Sequence, residues 1–170
     1  MKKLLLLTIF TIMIINKLQS QNDVKSAFLL KWDNSKNYLL EMAELMPYEM
    51  YDFKPTERQM SFQEQLLHIR SNMVWLSEKY FMSEGEKSDK INPNSKEEVI
   101  QHLTASFNKV SKLIKTISLE DLTTEVDFFA GPKSKLQILN LLQDHVTHHR
   151  GQLIVYLNLN TIEPPKYRGW

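Results

Sequence analysis

Three of the five histidines of this chain fall in one short stretch, His145-Val146-Thr147-His148-His149. If that stretch is helical, His145 and His149 are one turn apart and project the same way, about 6 Å apart along the axis. Such a pair can chelate one metal ion, provided a third ligand arrives from elsewhere. The same spacing also suits two core histidines satisfied by neighbouring side chains, since an unpaired buried polar group costs about 1–3 kcal/mol. Spacing alone leaves both readings open. The stretch is not a zincin motif, which needs Glu directly after the first His, where Val146 stands. Asp144 is its one acid and projects about 100° away from His145 on a helical wheel. His148, at the edge of the stripe, is therefore the candidate catalytic base, or a side chain that orients a ligand.

The element that must carry these residues runs from Ser134 to Asn160. At 3.6 residues per turn, Ile138, Leu141, Leu142, Tyr156 and Leu159 form a stripe with His145 and His149 in its middle. Ser134-Lys135-Leu136-Gln137 is a capping box at its start, and Pro164-Pro165 blocks helix beyond it. A second box, Ser61-Phe62-Gln63-Glu64, opens a helix to about Met82 with Phe62, Leu66, Ile69, Met73, Leu76 and Tyr80 inward. His68 lies at the flank of that face beside Gln65, Asn72 and Trp75, and alone it reads as a boundary histidine.

Two further helices complete the set. Asp23 to about Met46 places Phe28, Trp32, Leu39, Ala43 and Met46 on one face and ends at Pro47. Ser95-Lys96-Glu97-Glu98 caps a helix with Val99, Leu103, Ser106, Val110, Leu113 and Ile117 inward and His102 toward solvent. Pro47 to Met60 reads as a long connection whose aromatics cover one end of the domain. Ser83 to Asn94 reads as a polar surface loop, Leu119 to Leu122 as a short turn, and Thr123 to Lys133 as irregular. The tail, Lys166 to Trp170, is expected to lie back across the surface. Four long amphipathic helices with two long connections predict an all-α, four-helix bundle. In a bundle His68 can face His145 and His149, and three neutral imidazoles with an open position suit Zn²⁺, Fe²⁺, Ni²⁺ or Mn²⁺.

Composition narrows the classes. With 21 Lys+Arg against 20 Asp+Glu and no basic tract, nucleic acid is a poor partner. No helix pairs a basic polar face with an exposed apolar one, as a membrane-lying segment would. The absence of Cys excludes disulfides, thiolate ligands and a Cys nucleophile. Residues 1–20 read as a signal peptide: Lys2-Lys3, then an uncharged apolar run from Leu4 to Ile15, then Ser20 at a plausible cleavage point. Twelve apolar residues fall short of the roughly 20 needed to span a bilayer, so the membrane is involved only if that segment stays uncleaved. The expectation is export, to a periplasm or the exterior, with residues 21–170 as one domain.

At this point the chain resembles a known family. His145-x-x-His148-His149-Arg150-Gly151-Gln152 resembles the last-helix signature of the bacterial DinB/YfiT-like proteins. Ser61 to Trp75 resembles their second helix, and the similarity extends over roughly Val24 to Tyr167. The resemblance implies a four-helix bundle, often a homodimer, holding one divalent metal through three histidines, here His68, His145 and His149. Arg150 and Gln152 match the signature, and a solvated face or a supporting role explains them equally well. Several relatives are thiol transferases that use low-molecular-weight thiols, a cosubstrate that an exported chain would meet little of. The expected function is metal-dependent hydrolysis or transfer on a small-molecule substrate, the alternative being a non-catalytic bundle that binds metal or ligand or serves as a scaffold. For histidine ligands the affinity for metal is expected to fall below about pH 6.5.

Overall fold

A computed structural model describes the backbone of residues 2–82 and 91–170 and the side chains of residues 24–82 and 91–170. The signal-peptide reading of residues 1–20 falls on side chains outside the described residues, as does most of the polar loop expected after Met82. Helix α1 (Lys2–Leu45) begins well before the Asp23 expected from periodicity, since neither Pro nor Gly interrupts the chain before Pro47. Then follow a 3₁₀ turn (Tyr48–Met50), α2 (Phe62–Phe81), α3 (Lys96–Thr116), a short α4 (Leu119–Thr123) and α5 (Lys135–Leu159). Two-residue strands β1 (Glu125–Val126) and β2 (Lys133–Ser134) pair antiparallel, with Glu125 opposite Ser134. This hairpin replaces the irregular segment expected there, because strands of two residues carry no readable period. Gly131, at φ +90°, makes the turn between them.

The four long helices form a four-helix bundle in which α1 packs on α3 and α5, and α2 packs on α5 and α3. Chain neighbours α1 and α2 therefore stand diagonally, which is why the connection between them is long. Tyr51 is buried in that connection and donates its hydroxyl to Ala43 O at 2.8 Å, closing the end of the bundle. The caps work as the sequence implies at Ser61 and Ser134, each a complete box. Ser95 caps α3 by accepting from Glu98 N, whereas Glu98 Oε2 accepts from Asn94 N instead of completing the box.

The core face of α2 is the expected one, with all six residues buried. On α3 the inward face is shifted: Phe107 and Ile114 are buried, and Leu113 and Ile117 are only partly so. The Phe107 ring packs at a tilt against Trp32 with ring centroids 4.7 Å apart, and Trp32 Nε1 donates to Phe107 O at 3.1 Å. On α5 the buried stripe is Ile138, Leu142, Val146, His149, Leu153 and Tyr156. Leu141 and Leu159 were expected inside and are exposed, because α5 meets both α1 and α2 and turns its next-door row inward. The tail does lie back on α1: Arg168 pairs with Glu41 at 2.7 Å, and Asn34 Nδ2 donates to Trp170 O.

These differences have a measurable counterpart. Phe107→Ala should lower the free energy of unfolding in urea by about 3–5 kcal/mol, the cost of an emptied aromatic site. Leu113→Ala should cost about 1 kcal/mol. A reversed order would place Leu113 in the core after all.

Candidate metal centre

The α2–α5 interface carries the histidines. Gln65 of α2 reaches both Tyr156 and His149, whereas His68, one turn later, meets His145. Rising numbers on α2 thus meet falling numbers on α5, so the two helices run antiparallel. His68 Nε2 and His145 Nε2 approach to 3.1 Å. The His68 ring lies 4.6 Å from that of His149, and the His145 and His149 rings are 4.4 Å apart, centroid to centroid. One ring nitrogen from each of the three lies within 4.8 Å of the other two, so together they could hold a metal ion. One pair of the donor set passes a simple geometric test. Two nitrogens bound to one ion at about 2.0–2.1 Å stand about 3.0–3.4 Å apart, depending on the angle between them. The spacing of His68 and His145 falls inside that range.

Hydrogen bonds decide which nitrogen of His149 is free. Tyr156 donates its hydroxyl to Met60 O at 2.6 Å and accepts from Gln65 Nε2 at 3.3 Å. With its amide nitrogen committed there, Gln65 turns Oε1 to His149 Nδ1, 2.6 Å away. Gln152 Oε1 lies 3.1 Å from the same nitrogen. Both oxygens can only accept, so Nδ1 carries the proton and Nε2 keeps its lone pair. Gln65 stood beside His68 in the sequence without an assigned role. The signal that could have found it is its position one turn before His68 on the face toward α5.

Other residues fall into place by contrast. His148 is exposed, outside the trio, and receives a hydrogen bond from Gln152 Nε2 at 3.1 Å. Asp144 is exposed, and His102, expected toward solvent, is half-buried on α3. Arg150 is not on a solvated face: it is buried, donates to Ser35 Oγ at 3.1 Å and lies 4.9 Å over the Tyr38 ring. Gln143 donates to the same hydroxyl, so these residues fasten α5 to α1. His145 Nδ1 and Asn72 Oδ1 are buried without a hydrogen-bond partner, a local cost of the kind that functional sites retain.

Together, fold and site define a helical-bundle protein with three histidines able to take a metal ion. The chain belongs to the DinB family, whose model matches residues 18–168. It is 27% identical over 153 residues to the uncharacterized protein YjoA of Bacillus subtilis, a match covering 86% of this chain and 96% of that one. The crystal structure of that DinB-like protein superposes with a TM-score of 0.70 at 24% identity, covering 84% of this chain and 97% of the other. A DinB-like protein from Bacillus cereus gives a TM-score of 0.72 at 22% identity, covering 84% and 96%.

Burial and proximity also set the charge of the trio. Desolvation first, and then the neighbouring imidazoles, lower His145 and His149 from the usual 6.5 to about 4. Between those values the unfolded chain binds more protons than the folded one, so acidification from pH 6.5 toward 4 costs stability, and above 6.5 the effect vanishes. The urea midpoint of metal-free protein should therefore fall from pH 7 to pH 5. His145→Gln, which removes one of the two rings with a lowered pKa, should show a shallower fall. Parallel pH profiles for the two proteins would contradict this account of the site.

Proposed function

We propose that the chain binds one divalent transition metal through His68, His145 and His149, and that it acts on a small-molecule substrate as a metal-dependent hydrolase or transferase. The observation that carries this reading is the convergence of three ring nitrogens from two helices, with His149 Nδ1 held as a donor so that Nε2 stays bare. Three imidazoles suit Zn²⁺, Ni²⁺, Fe²⁺ or Mn²⁺ alike. Such an ion, with a position open, would supply an activated water or polarise a substrate oxygen. The protein contributes neutral ligands, oriented by Gln65 and Gln152 and held at a fixed spacing by the packing of α2 on α5.

Burial alters the pH dependence expected from free imidazole. His145 and His149 stay neutral down to about pH 4, so proton competition at these two ligands sets in well below pH 6.5. A reading without turnover, in which the bundle only binds metal or ligand, is favoured by the engagement of His148 with Gln152, which occupies the candidate base. Export through cleavage after Ser20 belongs to the same proposal and predicts a mature amino terminus at Gln21.

Elemental analysis of protein purified without a histidine tag tests the ligand set. About one transition metal per chain is expected, lost in His68→Ala, His145→Ala and His149→Ala and kept in His148→Ala and His102→Ala. Equal loss at His102, or no metal and no thermal stabilisation by added Zn²⁺, Ni²⁺ or Mn²⁺, would overturn it.

A further inference from the structure

A cleft of about 270 Å³ lies between α1 and α5. On α1 it is bordered by Val24, Ala27, Phe28 and Lys31, a single helical stripe, and on α5 by Leu136, Leu139, Asn140 and Gln143 at the same spacing. The two helices run parallel here, since Gln143 reaches Ser35 and Arg150, further along α5, reaches Tyr38, further along α1. Val24 and Leu136 therefore mark one end of the cleft, about 10 Å along the axis from Lys31 and Gln143 at the other. The first end is apolar and the second polar. Gln143 is only 4% exposed, its Nε2 is committed to Ser35 Oγ at 3.0 Å, and its Oε1 is buried without a hydrogen-bond partner. That oxygen can only accept, so it calls for an O–H or N–H from a guest. Lys31 is the one charged residue of the lining. Its ammonium forms no ion pair or hydrogen bond with the described residues, and neither does the Asn140 amide. Phe28, stacked on Trp32 with ring centroids 5.4 Å apart, and the buried Leu139 make the apolar wall between the two ends. Small-molecule pockets pair apolar walls with a few polar groups, and a volume near their lower limit of about 300 Å³ suits a small guest.

We propose that the α1–α5 cleft binds a free hydroxy acid with a medium-length alkyl chain. The carboxylate meets the Lys31 ammonium, the hydroxyl donates to Gln143 Oε1, and the chain runs along Phe28 and Leu139 toward Val24 and Leu136. A simple fatty acid would leave Gln143 Oε1 unpaired, and a neutral alcohol would leave Lys31 without a counter-charge. None of the three histidines lines the cleft, so the proposal stands apart from the metal reading.

Calorimetry with 3-hydroxyoctanoate tests it, and saturable binding at about one site per chain is expected. Trimming the chain to 3-hydroxybutyrate should weaken binding at least about tenfold, the yield expected from burying several methylenes. Methyl 3-hydroxyoctanoate, which keeps chain and hydroxyl and stands in for a chain esterified in a lipid, should bind about tenfold more weakly than the acid, for want of a charged hydrogen bond. Lys31→Met, which keeps an apolar stem, should impose the same loss on the acid. Octanoate, which lacks the hydroxyl, should bind about threefold or more weakly. Ala27→Trp, at an exposed position, should fill the cleft and abolish binding while leaving the urea midpoint in place. No saturable binding, or binding that survives both Lys31→Met and Ala27→Trp, would overturn the proposal. Equal affinity for octanoate would overturn the role of the hydroxyl, and equal affinity for the ester would overturn the free acid as the ligand.

Discussion

The axial register between α2 and α5 is the constraint on which the rest of the site depends. His68 comes from one helix and His145 and His149 from the other, so their rings converge only if the two helices hold their offset to a fraction of a turn. A slip of one residue moves a side chain about 1.5 Å along the axis and rotates it by about 100°, enough to separate the 3.1 Å approach of His68 and His145. Buried packing supplies that register. Leu66, Ile69 and Met73 on α2 and Leu142, Val146 and Leu153 on α5 are fully or almost fully buried. A polar link adds direction to it: Gln65 joins Tyr156 and His149 across the same interface, with Tyr156 tied to the backbone at Met60.

Those bonds also fix chemistry. Because Gln65 spends its amide nitrogen on Tyr156, it offers His149 only an oxygen, and the tautomer follows. Burial then disfavours the charged form of His145 and His149. The same desolvation that lowers stability in acid keeps two lone pairs available at neutral pH, so the cost and the capability have one physical origin. The partnerless His145 Nδ1 and Asn72 Oδ1 lie within this compromise.

Around the site the bundle is braced rather than merely packed. Arg150 and Gln143 share Ser35 across the α1–α5 contact, and the guanidinium rests on Tyr38, whose ring also meets Tyr167 of the returning tail. A signature arginine beside two histidines thus faces away from them and holds the helix that carries them. The hairpin, in turn, brings Phe128 and Phe129 against Trp75 of α2.

Much of this was legible from residue order, since it depends on local chemistry. The capping boxes at Ser61 and Ser134, the stop at Pro47, the inward face of α2 and the one-turn spacing of His145 and His149 follow from backbone geometry and side-chain period. The family resemblance was legible in the same residues, and its helical fold and close histidine trio are what the structure contains. Tertiary structure decided what depends on two elements at once. It chose Phe107 over Leu113 as the deeper residue and left Leu141 and Leu159 outside, because each helix meets two neighbours and its inward face is a compromise between them. It brought His68 to His145 and His149 across 77 and 81 positions of sequence, a meeting no local pattern encodes. It also put Gln65 behind His149 and Arg150 against Ser35, because a polar group's role is settled by which partner lies within hydrogen-bond reach after the chain has folded.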